Sequence, residues 1–232
     1  MGFMFFMYTM AIIAIALLAA TTNMLAYAAS WKRAFLLAAI GFLFYFLDEL
    51  PIFLKDFITQ PSVDQGNFFY MIYQPLYMLV TGGGFLGCLW LTVCHHLGER
   101  RIALLVAPIA LFAALSICAL AFVPEGRWQQ LCFYGCRQLM MVWIAGYGLR
   151  RLKRIGLDRD MSTLHRVLVG LVVLAALMMA EDVVLMVIID PFAVSPSFPV
   201  YTTERNFVEN ALFFWLAYLS VKKAGSTLRI QE

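Results

Sequence analysis

Charged residues are scarce in this sequence: Asp, Glu, Lys and Arg make up 13% of its 232 residues, whereas 63% of the side chains are hydrophobic. Soluble domains carry about a quarter charged residues and are near half apolar. The composition therefore excludes a disordered chain. A net charge of only +3 also excludes a nucleic-acid-binding surface. We predict a polytopic membrane protein.

Motifs for catalysis and metal binding are also missing. The sequence has five cysteines and three histidines, but it contains no His-Glu-x-x-His run and no Gly-x-Ser-x-Gly elbow. The cysteines all fall in or beside apolar segments, where we interpret them as packing residues. The histidines are expected at helix ends. We therefore predict no enzymatic activity, no catalytic residue, no metal site and no cofactor.

Long apolar stretches are abundant, and a helix that spans a bilayer needs about 20 such residues. The predicted spans are Phe5–Ala28, Ala34–Leu54, Phe68–Cys94, Ile102–Val123, Trp128–Leu149, Val167–Ile189 and Asn206–Val221. The last is the shortest. The sequence thus predicts an all-α fold in which residues 1–232 form one membrane domain of seven transmembrane helices.

The positive charges predict the orientation, because Lys and Arg in short loops stay on the cytoplasmic side. Thirteen lie in one set of loops and three in the other. We therefore place the N-terminus outside and the C-terminus in the cytoplasm. The basic run Arg150–Arg154 is interpreted as a topological anchor, with an anionic lipid site as the alternative. Short loops without glycosylation acceptors favour a bacterial inner membrane.

Two helices show a matching pattern that suggests an internal duplication. Arg33 precedes the pair Asp48-Glu49 by fifteen residues, and Arg166 precedes Glu181-Asp182 by the same number. The following loops correspond loosely, through Pro61-Ser62 with Asn67 and Pro196-Ser197 with Asn206. We interpret residues 5–94 and 128–221 as parallel repeats of three helices, joined by a linker helix at 102–123.

This helix order resembles the three-plus-one-plus-three plan of small seven-helix sugar and vitamin carriers. The resemblance covers topology only, because the Pro-Gln dipeptide of one such group stands here in reverse order, as Gln74-Pro75. The plan is also similar to that of retinal proteins. However, the last helix has no lysine before Lys222, so a Schiff base in mid-membrane is excluded.

Ionisable and amide residues inside the spans are the candidate binding residues, since a charge in hydrocarbon is costly and usually functional. They all fall in the outward half of the predicted helices: Asp48, Glu49, Gln74, Arg137, Gln138, Glu181, Asp182, Glu209 and Asn210. Five acids facing one arginine cannot all be ionised and unpaired. We expect one to pair with Arg137, and the others to exchange protons or meet a cation.

The alternative interpretation of these residues is structural. If Asp48, Glu49 and Glu209 lie at the water interface, then Arg137, Glu181 and Asp182 form an ordinary buried ion-pair triad. The functional interpretation predicts a small secondary carrier for a polar, cationic or zwitterionic molecule, with proton coupling. A seven-helix sensor that binds an extracytoplasmic ligand is the rival, and it fits if the chain is a fragment of a longer regulator. Expected partners are the lipid bilayer, a small ligand, and a second copy or a membrane complex.

Overall fold

A computed structural model describes residues 2–54, 74–123, 127–155, 159–184 and 198–229. The described part is all-helical, with seven helices and no strand. The helices are α1 (Gly2–Ser30), α2 (Arg33–Leu54), α3 (Gln74–His96), α4 (Ile102–Phe122), α5 (Arg127–Ile155), α6 (Arg159–Val183) and α7 (Phe198–Arg229). Each predicted apolar segment lies largely in one of them. The loop motifs at residues 61–67 and 196–197, and the ends of two predicted spans at 68–73 and 185–189, lie outside the described residues.

Two helical stretches are long and apolar enough to cross a membrane, namely Met10–Ser30 and Ile102–Phe122. A shorter apolar stretch covers Leu164–Ala180. The other helices in the described residues combine apolar segments with charged or amide side chains. The all-α prediction is therefore confirmed for the described residues, which form seven helices. Only two of these helices are compatible with a membrane span on this test, so the prediction of seven transmembrane helices stays a prediction.

The chain divides into two units, which we describe separately. The first contains α1, α2, α3 and the end of α7 from Ala217, and the second contains α4, α5, α6 and the beginning of α7 up to Leu216. The predicted repeats at 5–94 and 128–221 stay a prediction. Arg33 is the first residue of α2, whereas its proposed counterpart Arg166 lies seven positions after Arg159, the first residue of α6.

The ends of α1 and α3 turn through left-handed residues. Gly98 has φ +67° after α3, a conformation that glycine adopts without a Cβ clash. Trp31 has φ 55° after α1, which is unusual for a bulky residue. Its N–H donates to the Tyr27 carbonyl at 2.7 Å, and its ring meets the Tyr27 ring edge-on at 5.6 Å. This ring contact stabilises the sharp turn between α1 and α2.

Small side chains let α1 and the end of α7 approach closely in the first unit. Ala26 of α1 packs with Ala224 of α7 and Phe35 of α2 in one buried cluster. One turn earlier, Asn23 is 1% exposed, and its Nδ2 donates to the Ser220 hydroxyl at 2.8 Å. The paired positions rise together along both helices, so α1 and α7 run in the same direction. Small residues and interhelical hydrogen bonds of this kind are typical of helices packed in lipid.

The Asn23–Ser220 contact predicts a measurable coupling between α1 and α7. Because an interhelical hydrogen bond in a membrane protein is worth about 0.6 to 1.7 kcal/mol, we expect Asn23→Ala to lower the unfolding free energy by about that amount. Ser220→Ala should add little once Asn23 is absent, and a double-mutant cycle of unfolding in detergent measures this. Thr22→Ala is the control, since Thr22 bonds the Leu18 carbonyl of its own helix. Additive single effects would contradict the coupling.

Glycines also bring helices together in the second unit. A Cβ added at Gly170 of α6 would clash with the Trp215 ring of α7. A Cβ at Gly148 of α5 would lie 2.6 Å from a Leu168 methyl of α6. These glycines therefore allow a neighbouring side chain to rest directly on the helix backbone. The buried face of α6 continues through Leu171, Ala175 and Met178.

Candidate binding site

The candidate site in the first unit lies along the contact between α2 and α3. The facing positions are Gly41 with Cys88, Phe44 with Gly84, and Asp48 with Thr81. Their numbers rise along α2 and fall along α3, so the helices are antiparallel. On both helices the spacing alternates between three and four residues, which keeps one helix face turned to the neighbour. Asp48 therefore faces α3 because it continues this contact face.

Asp48 is a buried carboxyl group with a hydroxyl partner on the next helix. Its side chain is 7% exposed, and Thr81 is 3% exposed. The Thr81 hydroxyl donates a hydrogen bond to Asp48 Oδ1. A carboxyl group removed from water is stable only when it is protonated, paired or hydrogen-bonded. A carboxyl and a hydroxyl that meet in this way can hold a proton or take part in binding a cation.

Aromatic rings lie beside this pair in the same helix contact. The Tyr45 ring meets the Phe85 ring edge-on at 5.4 Å, and the Phe42 ring lies 6.3 Å from Phe85. Tyr45 and Phe42 are both buried. The Phe44 ring covers Gly84. The Asp48–Thr81 pair is therefore bordered on one side by an apolar layer.

The second unit contains a separate pair of buried polar residues, Arg137 and Gln138. They are 6% and 2% exposed. Buried residues of α5 follow at 140, 141, 144, 145, 148 and 152. Arg137 belongs to this buried face, because it precedes Met141 by four residues and Ile144 by seven. A guanidinium and an amide in such a position offer several N–H donors to an anionic or carbonyl oxygen.

The side chains of the other predicted binding residues lie outside the described part of the structure. Their backbones belong to helices, and they are Glu49, Gln74, Glu181, Asp182, Glu209 and Asn210. The predicted meeting of five acids with Arg137 in one pocket therefore stays a prediction. Of the predicted set, the structure places Asp48 in the first unit and Arg137 with Gln138 in the second.

Thr81 and Asn23 are not among the predicted binding residues. Neither residue carries a charge, and both lie within long, mainly apolar segments. Thr81 directly precedes the three glycines at 82–84. The available signal was spacing: Thr81, Gly84 and Cys88 repeat the interval of Gly41, Phe44 and Asp48.

Metal ligands do not gather in the described part of the chain, where no group of three or more His, Cys, Asp or Glu residues could hold an ion. All five cysteines are free. Cys88 and Cys94 are buried, as expected of packing residues, but Cys118 and Cys132 are exposed. His95 and His96 lie at the end of α3.

Comparison with known proteins gives no relative. No protein-family model, no curated protein and no solved structure matches this chain.

Proposed function

We propose that this chain is a multi-pass membrane carrier for a small polar molecule, cationic or zwitterionic, and that Asp48 carries its coupling proton. The observation that carries the proposal is the Asp48–Thr81 pair inside an apolar contact between two helices. An ionisable group at such a position is costly, so it is retained where it handles a proton, an ion or a ligand.

The distribution of side chains supports the membrane location. Large apolar side chains are exposed along α4, including Val106, Leu111, Leu115 and Ile117. Only 22% of the span Ile102–Phe122 is buried, whereas a core helix of a soluble protein would be mostly covered. Several polar side chains are instead buried inside the protein, namely Asn23, Asp48, Thr81, Ser116, Arg137 and Gln138. Polar groups inside and apolar groups outside suit a chain whose solvent is lipid.

The remaining acids extend the proposal. Glu181 and Asp182 stand three and four positions after the buried Met178 of α6. We propose that one of them contacts the transported molecule together with Arg137, which belongs to the same unit. In the predicted N-out orientation these residues lie in the outward half of the membrane.

An uptake assay tests the proposed function. The full chain is reconstituted into liposomes that contain a trapped pH-sensitive dye, and a panel of amines, amino acids and betaines is added under an inward proton gradient. We expect at least one compound to enter together with protons, and a protonophore to stop its accumulation. Protein-free liposomes are the control. A compound that stabilises the protein against heat but never enters would contradict transport and favour the sensor.

A further inference from the structure

The outer face of α5 combines exposed apolar residues with a cluster of cations. Leu139, Val142 and Trp143 are 56%, 41% and 49% exposed. The helix continues past the predicted span end at Leu149 to Ile155, and Arg150, Lys153 and Arg154 are exposed in this extension. The basic run is therefore an ordered helical surface.

The helical period places all these residues on one face. Successive residues turn by about 100°, so Trp143 and Arg150, seven positions apart, differ in direction by only about 20°. Lys153 and Arg154 lie within about 60° of Arg150 on either side. Leu152 points about 200° from Arg150 and is 1% exposed, so it anchors the opposite face in the second unit.

A gap between the two parts of this face completes the arrangement. Gly146 lies between Trp143 and Arg150 on the exposed face, and a Cβ added there would meet nothing within 4 Å. The face is thus apolar over about one turn from Leu139 to Trp143, open at Gly146, and cationic over about one turn from Arg150 to Arg154. Along the helix axis, Trp143 and Arg150 are about 10 Å apart.

We propose that this α5 face, Leu139 to Arg154, binds an anionic phospholipid of the cytoplasmic leaflet. The headgroup phosphate meets Arg150, Lys153 and Arg154, and an acyl chain follows Trp143 and Leu139. Clusters of cations directly cytoplasmic of a membrane helix attract anionic lipids, and the apolar stripe beside this cluster adds a contact that a soluble anion would lack. The sequence also has Asp158 and Asp160 beyond the cluster, balanced by Arg151 and Arg159. This inference rests on the proposed membrane location and does not depend on transport.

Quenching of Trp143 fluorescence tests the site. The full chain is placed in phosphatidylcholine nanodiscs that contain either brominated phosphatidylglycerol or brominated phosphatidylcholine at the same mole fraction. The difference between the wild type and Trp143→Phe isolates the emission of Trp143. We expect the anionic lipid to quench it about twofold more strongly, and added salt to reduce this preference because ions screen the exposed cations.

Two variants with equal loss of charge locate the effect. The first is a triple variant, and it should abolish the stronger quenching of Trp143 by the anionic lipid: Arg150→Gln, Lys153→Gln and Arg154→Gln. The matched triple variant Lys32→Gln, Arg100→Gln and Arg101→Gln removes three exposed cations from the first unit and should keep it. Equal quenching by both lipids in the wild type would overturn the proposal, and so would a loss of preference in the control triple. Competition by soluble glycerol phosphate would overturn the lipid assignment in favour of a free phosphate compound. Since the wild-type comparison needs no uptake, a failed transport assay leaves this test intact.

Discussion

Asp48→Asn is expected to remove proton-coupled uptake while the protein stays folded. The amide has nearly the size of the carboxyl group and can still accept the hydrogen bond from Thr81. It cannot take up or release a proton. We expect the uptake rate of the best compound in the panel to fall about 100-fold or more, the lower end of what a positioned proton-transferring side chain contributes. Liposome uptake of that compound, with proton entry recorded in parallel, is the measurement.

Two controls separate a loss of proton transfer from a loss of structure. Asp48→Glu keeps a carboxyl group at the site and should retain part of the activity. Glu99→Gln changes an acid beyond the end of α3, where its side chain accepts bonds from the Arg100 and Arg101 N–H groups, and should leave uptake unchanged. Wild-type uptake rates in Asp48→Asn would contradict a role for this carboxyl group.

Thr81 gives the same site a second, independent test. Thr81→Ser keeps the donor to Asp48, whereas Thr81→Val removes the donor and keeps the shape. Since a hydrogen bond to a charged group is worth about 1.5 to 3 kcal/mol, we expect the valine variant to lose about tenfold or more in uptake and to change its pH profile. A merely structural threonine would alter stability without moving that profile.

The helices could be predicted from hydropathy, but their ends could not. Trp128–Leu149 was predicted as the fifth span, whereas α5 continues to Ile155. Arg and Lys are good helix formers, so the fall in hydropathy after Leu149 does not mark the end of the helix. The same reasoning applies to α7, which extends to Arg229 beyond the predicted Val221.

The charged half of the site could be predicted, but its neutral half could not. Asp48 is conspicuous in an apolar run, because a buried carboxyl group is costly wherever it lies. Threonine is common in apolar segments. Only the antiparallel packing of α2 on α3 identifies Thr81 as the partner of Asp48. The Phe44 ring lies over Gly84, so this glycine allows α2 and α3 to approach closely.

Gly84→Ala is expected to destabilise the α2–α3 contact by about 1 to 3 kcal/mol, as overpacking commonly does. The added Cβ would lie 2.7 Å from Cγ and Cδ1 of Phe44 and 2.8 Å from Cδ2. It would press on the ring itself, which cannot turn away as a flexible chain end can. Gly148→Ala should cost less despite a nominal contact of 2.6 Å, because that contact is with a methyl group of Leu168.

A compensating substitution of Phe44 tests whether contact with its ring causes this destabilisation. In Phe44→Leu the rigid ring is replaced by a smaller, branched chain, so adding Gly84→Ala to that variant should cost less than in the wild type. The midpoint temperature of unfolding in detergent, measured for all four members of the cycle, gives the coupling. Gly135→Ala is the control, since a Cβ there would meet nothing within 4 Å and alanine favours the helix. Because Asp48 lies one turn beyond Phe44, Gly84→Ala should also weaken uptake, and Phe44→Leu should restore part of it. Equal unfolding temperatures for Gly84→Ala and Gly135→Ala would show that α2 and α3 do not pack through this glycine.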